Sequence, residues 1–213
     1  MLLVALALPV TMKAVRAGRD AKCVSNLRQV FVGFQGYLNE FEGTFPPLQH
    51  EYDRAPFWFD LLKPYYRVEE VVRCPVLHKW QWQFGRDLIG YGYNGYWLGL
   101  YGVAHGQWPP TPEQADTGRY SRLWRKIDEV KNPAKCSLVG DTTRKPDGCY
   151  SCTMWWPNSY EEGVDPRHGD GGMVLFVDSH VQKMYKRQMN GDRPWDFCDR
   201  VREWYDPLWP RQP

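Results

Sequence analysis

The N-terminal segment constrains the fold of this chain more than any other part of it. Met1 to Met12 is almost wholly apolar. Further apolar side chains then recur at helical spacing: Val24, Leu27, Val30, Phe31, Phe34, Leu38 and Phe41. The pattern predicts one long helix over residues 1–42, which Gly43 and Pro46-Pro47 bring to an end. Such a helix needs a partner that covers its apolar stripe.

The apolar start of this helix is shorter than the ~20 residues that a membrane-spanning helix requires. The basic residues Lys13, Arg16, Arg19 and Lys22 follow the apolar stretch, whereas a secretory signal carries its positive charge in front. The segment is therefore not an intact signal peptide. We expect a partly membrane-type helix that is truncated at its start.

The remainder of the chain has the character of a small α+β head. Between residues 43 and 190, short apolar runs alternate with Gly, Pro, Asn and Asp. Ser137 to Gly140 is a strand candidate, and Met173 to Val177 with His180 to Tyr185 predicts a hairpin around Asp178-Ser179. Residues 191–213 form a Trp- and Pro-rich tail. The predicted fold is a long N-terminal helix packed on a small antiparallel sheet with long loops.

Composition excludes some classes of partner and favours others. Lys and Arg number 27 against 25 Asp and Glu, so the formal net charge of +2 gives no concentrated positive field for nucleic acid. Eleven Trp, thirteen Tyr and nine Phe are a heavy aromatic load for a chain with a mean hydropathy of −0.61, which places some rings at the surface. Six Cys is an even number, and in an exported protein this is compatible with disulfides.

The cysteines suggest two disulfides without fixing the connectivity. Cys149 and Cys152 have the spacing of a metal knuckle, but no second pair of this kind completes a zinc ribbon, so a local loop disulfide is favoured. A Cys23–Cys74 bridge would tie the long helix to the head and stabilise the fold by a few kcal/mol in the chain-entropy model. Cys136 and Cys198 remain, and six cysteines allow fifteen connectivities.

The His and Asp residues around the hairpin allow two interpretations. His168, Asp170, Asp178 and His180 are weak candidates for a Zn²⁺, Mn²⁺ or Ca²⁺ site. The favoured interpretation is structural: His168 hydrogen-bonds across the hairpin to Asp178 or its backbone, and no metal or other cofactor is bound. No Ser-His-Asp, phosphate-binding or H-E-x-x-H pattern is present, and we expect no catalytic residue and no enzymatic activity.

Six short motifs occur in one order along most of the chain. They are Cys23-Val-Ser-Asn-Leu-Arg-Gln29, Gly43-Thr-Phe-Pro46, Arg73-Cys-Pro75, Tyr91-Gly-Tyr-Asn-Gly95, Asn132-Pro133 leading to Gly140-Asp141-Thr142, and Arg167-His168 to Val181. In this order they resemble the prepilin-like proteins of planctomycetes and verrucomicrobia, which carry a His followed nine residues later by Asp-Gly. These proteins are similar to the major pseudopilin of type II secretion.

The chain departs from that family at two places. The basic leader and the Gly-Phe-Thr-Leu-Ile-Glu processing site of the family do not precede Met1. Ser179 stands where the family has Gly, in a turn that favours a positive φ, and this replacement costs on the order of 1 kcal/mol.

The resemblance implies a structural subunit of a type II secretion or type IV pilus-like filament. Its helix would be anchored in the inner membrane, its head would be periplasmic or extracellular, and its partners would be other subunits and the assembly machinery. His168, Asp178 and His180 would then form a structural motif, and related pseudopilins carry a calcium site in the sheet region.

Two other functions stay open at this point. The head could be a module that binds carbohydrate or protein on a pilin-like stalk, through exposed aromatic side chains: Trp80, Trp82, Trp97, Trp155 and Trp156. A metal-dependent hydrolase using His168, Asp178 and His180 is a third hypothesis.

Overall fold

The fold is seen in a computed structural model that describes residues 2–51, 54–66, 69–77, 90–99, 126–130, 132–143, 150–154 and 164–185. Side chains of the first helix are described from Thr11 onward. The Trp- and Pro-rich tail predicted for residues 191–213 lies outside these ranges.

The predicted long helix is present. Helix α1 spans Leu2–Glu40 and includes Pro9. At its C-terminus the N–H of Gly43 donates to the carbonyl of Leu38 at 2.7 Å, and Glu42 has a φ of 52°. This is the pattern of a Schellman cap, whose left-handed position usually holds glycine. The helix thus ends two residues earlier than predicted, and Glu42, not Gly43, occupies the first left-handed position.

The head contains a four-stranded antiparallel sheet, so the α+β class predicted from the sequence is confirmed. After α1 come a two-stranded ribbon of β1 (Gln49–Glu51) and β2 (Arg54–Phe57) and the short helix α2 (Trp58–Leu61). The main sheet has the order β3-β4-β5-β6 and consists of β3 (Tyr91–Tyr93), β4 (Ser137–Asp141), β5 (Gly171–Phe176) and β6 (Val181–Tyr185). The short helix α3 (Gly95–Leu98) follows β3.

Strand β5 separates two apolar layers because its side chains alternate between the sheet faces. Met173 and Leu175 belong to the main core, which also contains the buried face of α1. Val174 and Phe176 pack with Met154 in a smaller cluster. Both faces of this central strand are therefore covered, and all six of its residues are buried.

The second half of α1 is part of the main core. Leu27, Val30 and Phe34 are fully buried. The Phe34 ring lies 5.9 Å from the Trp58 ring and 5.2 Å from the Tyr93 ring, measured between centroids. The Trp58 indole N–H is satisfied by the carbonyl of Cys152 at 2.9 Å. The spacing of apolar residues seen in the sequence thus marks the helix face that packs on the head.

The preceding part of α1 lacks this cover. Every side chain from Thr11 to Arg19 is exposed, including Met12 at 70% and Val15 at 55% of full accessibility. No helix in the described ranges combines the length and the apolar character that crossing a membrane demands.

The predicted hairpin is also present. Strands β5 and β6 pair in register from Gly171 opposite Tyr185 to Leu175 opposite Val181. The turn between them contains Ser179, whose φ is 81°. This confirms that the chain places a serine at a position that requires a positive φ.

Candidate functional site

A cluster of metal-ligating side chains is buried where α1 meets the sheet. Cys23, Cys74, Asp141 and His168 each place one potential ligand atom within 4.8 Å of those of the other three. All four residues are at most 1% exposed. We call these four residues the junction cluster.

Each member comes from a different part of the chain. Cys23 lies in α1, Cys74 follows a single 3-10 turn at Glu69–Val72, Asp141 ends β4, and His168 lies in the segment just before β5. The junction cluster therefore joins the helix, a connecting segment, the end of β4 and the segment before β5 at one point.

The helix register that brings Cys23 to this point is fixed by Asn26, nearly one turn further along α1. The Nδ2 atom of buried Asn26 donates to the carbonyl of Arg73 at 2.9 Å. Arg73 directly precedes Cys74. Two of the motifs found in the sequence, Cys23-Val-Ser-Asn26 and Arg73-Cys-Pro75, are thus the two sides of one contact.

The imidazole of His168 has its two nitrogens in different surroundings. Its Nε2 lies 3.5 Å from Cys74 Sγ and 3.3 Å from Asp141 Oδ2, so this nitrogen faces the junction cluster. Its Nδ1 lies 2.6 Å from Asp20 Oδ1, on the preceding turn of α1. Donation from Nδ1 to Asp20 holds the ring orientation and directs Nε2 toward the cluster.

Asp141 is held by the backbone on one oxygen. The N–H of Met173 donates to Asp141 Oδ2 at 2.7 Å. Its other oxygen, Oδ1, is buried and has no hydrogen-bond partner among the described residues, and Arg167 Nη1 lies 3.7 Å from it. A buried carboxylate oxygen without a hydrogen bond is costly unless a positive charge or a ligand satisfies it.

Arg167 provides that positive charge and connects several segments. Its guanidinium donates to the carbonyls of Gly90, at 3.0 Å, and Thr142, and its Nε pairs with Asp165 at 3.1 Å. The side chain is only 5% exposed, and its charge also lies 4.8 Å from the centre of the Tyr150 ring. Gly90 reaches this place with a φ of 66°, which disfavours any residue with a Cβ.

Burial and hydrogen bonds shift the pKa values of the two thiols and the imidazole of the junction cluster. The hydrogen bond from Cys23 is the largest influence on Cys74 and, against the effect of burial, lowers its pKa to about 7. Burial raises the pKa of Cys23. Burial by itself lowers the pKa of His168, but hydrogen bonds to Asp141 and Cys74 outweigh it and raise that pKa to about 10. The surroundings of Nε2 therefore favour a cation at this point.

The contact predicted between His168 and Asp178 is absent, because both ring nitrogens of His168 have other partners. His168 does not reach Asp178, because the six residues of β5 separate them by about 20 Å at ~3.3 Å per residue. Asp178 and His180 instead contact each other in the turn, where the Asp178 Oδ1 to His180 Nδ1 distance is 2.5 Å. The constellation of the hydrolase hypothesis is therefore not assembled.

The other metal candidate from the sequence is also outside the junction cluster. Asp170 is exposed and lies 3.8 Å from Lys183 Nζ. Of the four weak metal candidates, His168, Asp170, Asp178 and His180, only His168 belongs to the junction cluster.

Cys23 and Cys74, predicted to form a disulfide, are neighbours with their Sγ atoms within 4.8 Å of each other, but no disulfide bond joins them. Both are buried thiols, and the Cys23 Sγ lies 3.2 Å from the Tyr91 hydroxyl. Cys152 is buried beside Trp58, whereas Cys149 and Cys198 lie outside the described residues. The Cys149–Cys152 disulfide therefore stays a prediction.

The aromatic residues proposed as a binding surface cannot be placed. Trp80, Trp82, Trp155 and Trp156 lie outside the described residues. The backbone of Trp97 belongs to α3, but its side chain is likewise outside what the structure describes.

Sequence reasoning missed the junction cluster as a unit, although it singled out all the motifs that supply it. Four of the six ordered motifs each supply one residue of the junction cluster: Cys23, Cys74, Asp141 and His168. That recurrence was the available signal. Assigning the cysteines to disulfides and His168 to the hairpin separated residues that the fold brings together.

No protein-family model matches this chain. Comparison with curated proteins and with solved structures likewise finds no similar protein.

Proposed function

We propose that this chain is a structural subunit of a filament of the type II secretion or type IV pilus kind. In this proposal the beginning of α1 is held in the inner membrane and then packs among identical helices. The head lies on the periplasmic or extracellular side and has no enzymatic role. Its partners are other pilin-like subunits and the machinery that assembles them.

The observation that carries the proposal is the division of α1 into two parts. From Cys23 to Leu38 one face of the helix is buried in the core of the head, while from Thr11 to Arg19 every side chain is exposed. A helix that continues beyond its own domain with exposed Met12 and Val15 is suited to packing against a partner. In a pilin-like filament that partner is α1 of another subunit.

The nature of the first residues supports the same proposal. The first twelve residues, Met1 to Met12, are almost wholly apolar, and α1 runs without a break from these residues through its exposed part. Apolar helices can exchange lipid contacts for helix–helix contacts with little change in free energy. Storage in a membrane followed by assembly requires such an exchange.

Site-specific photo-crosslinking in the native cells tests the proposal. A photoreactive phenylalanine analogue is placed at Val15, on the exposed part of α1, and in a second variant at Gln182, which is exposed on β6. Neither position is buried, so neither change should disturb the fold. We expect irradiation of the Val15 variant to give a ladder of covalent multimers of this chain.

The Gln182 variant serves as the control for chance encounters and should give far less multimer. A Val15 variant that stays monomeric in the cell envelope, or that gives no more multimer than the Gln182 variant, would refute the filament proposal.

A further inference from the structure

We infer that the junction cluster is a structural zinc site that fastens α1 to the head. Cys23 and Cys74 would bind as thiolates, Asp141 through one carboxylate oxygen and His168 through Nε2. The protons displaced from the two thiols and from Nε2 pass to solvent. This inference does not depend on the proposed filament function, because it concerns how the helix is held on its own head.

The distances within the junction cluster fit a tetrahedral ion. Zinc bonds of about 2.0 to 2.3 Å place neighbouring ligand atoms about 3.3 to 3.8 Å apart. His168 Nε2 lies 3.3 Å from Asp141 Oδ2 and 3.5 Å from Cys74 Sγ, and all the ligand atoms lie within 4.8 Å of one another. Small side-chain movements would suffice to close the shell.

The donor types select the metal. Two thiolates and an imidazole are soft or borderline ligands, which suit Zn²⁺ and disfavour Ca²⁺ and Mg²⁺, because these ions prefer oxygen. Four buried protein ligands fill the tetrahedral shell and leave no position for a substrate or water. Closed shells of this kind are typical of structural zinc sites, whereas catalytic sites keep one position open.

The surroundings provide what such a site needs beyond its ligands. Asp20 accepts from His168 Nδ1, which is the carboxylate–histidine–metal arrangement that orients a ligating imidazole. Zinc with two thiolates, one carboxylate and a neutral imidazole carries a single negative charge. Arg167, 3.7 Å from Asp141 Oδ1, is placed to compensate that charge. The carboxylate oxygen without a hydrogen bond would also gain a nearby cation.

A disulfide between Cys23 and Cys74 is the competing use of the same thiols. It would use up both thiols and leave only the contact between His168 and Asp20 to join this part of the head to α1. The two outcomes are mutually exclusive and can be told apart on the full chain.

The test begins with the full chain purified with a reductant that does not bind metal. We expect elemental analysis to find one zinc ion per chain in the unmodified protein and in Cys136→Ser, and none in Cys74→Ser. Cys136 is an equally buried cysteine outside the junction cluster, so it controls for nonspecific thiol binding. Replacement of zinc by Co²⁺ should give the intense visible absorption of a tetrahedral thiolate site.

A second variant keeps the test valid if Cys74→Ser does not fold. Asp20→Ala removes a partly exposed side chain from α1 and leaves all four ligands in place. We expect zinc affinity, measured by competition with a chromophoric chelator, to fall about 10- to 100-fold. Asp170→Ala is the matched control, because it removes an exposed carboxylate two residues from His168 that does not belong to the cluster. Affinity should be unchanged in that variant.

Three results would overturn the inference. The first is a Cys23–Cys74 disulfide found by mass spectrometry in a chain isolated without reductant, with its free thiols alkylated. The second is zinc binding that Asp20→Ala and Asp170→Ala weaken equally. The third is a melting temperature that does not rise when zinc is added to the metal-free chain, because an ion that binds only the folded state must stabilise it.

Discussion

Single residues in two turns adopt backbone conformations that are unfavourable for them. Glu42 and Ser179 have positive φ values of 52° and 81°, and both would be relieved by glycine. Ser179 is the clearer case, because its side chain is exposed and its N–H bonds to the carbonyl of Phe176 through the backbone alone, at 3.0 Å.

We therefore predict that Ser179→Gly stabilises the protein. Removing the Cβ relieves the left-handed conformation and should raise the free energy of unfolding by up to about 1 kcal/mol. Urea denaturation measures this change. Ser179→Ala is the control, since it keeps the Cβ and should give no gain; equal stabilisation by both variants would show that φ is not the cause.

The titration of Tyr65 is shifted by burial and by its contact with Glu40. Burial and a 2.6 Å hydrogen bond from its hydroxyl to Glu40 raise the pKa of Tyr65 to about 12. The folded state thus favours the protonated phenol. The stability gained from this contact is fully present below about pH 10, the ordinary pKa of tyrosine, and is lost as the pH rises through 12.

The corresponding prediction concerns ultraviolet difference titration. Subtracting the Tyr65→Phe titration from that of the unmodified protein should leave one tyrosine with a midpoint near pH 12. In a Glu40→Gln background the midpoint of this difference titration should fall toward about pH 10, because the negative charge beside Tyr65 is gone. A midpoint near pH 10 in the unmodified protein would contradict the contact between Tyr65 and Glu40.

At the level of elements, α1 is stabilised by the face that it buries and not by its length. Phe34 is fully buried against Trp58 and Tyr93, whereas Val32, two residues earlier, is 54% exposed. The two positions therefore compare the inner and outer faces of one helix turn.

Truncation at these two positions should have very different effects. We predict that Phe34→Ala lowers the free energy of unfolding by about 3–5 kcal/mol, because it leaves a cavity between α1 and the head. Val32→Ala should change it by no more than about 0.5 kcal/mol. Similar losses in the two variants, measured by urea denaturation, would mean that the outer face of α1 is also packed.

Local patterns in the sequence predicted the elements but not the junction cluster. The periodicity of Leu27, Phe34 and their neighbours predicts the buried face of α1, and the apolar runs around Asp178-Ser179 predict the hairpin, because both depend on residues close in sequence. The contact of Cys23 with Asp141 and His168 depends on how α1 crosses the sheet. No local spacing encodes that crossing, so the long-range partners could not be derived from motifs taken one at a time.

In the molecule as a whole, the junction cluster lies at the boundary between two parts of α1. The part after Cys23 belongs to the core of the head, and the part before Asp20 is left exposed. The cluster lies at this boundary, where α1 meets the end of β4 and the segment before β5. In the proposed filament, contacts of α1 with other subunits would give way to contacts with its own head at this boundary.

The junction cluster thus divides α1 into a packed part and an uncovered part. Hydrogen exchange of the monomeric full chain, followed by mass spectrometry, tests this division, because amides in a packed core exchange far more slowly than those of an uncovered helix. We expect strong protection of residues 23–38 and rapid exchange of residues 11–19. Equal protection of the two segments in the monomer would contradict it.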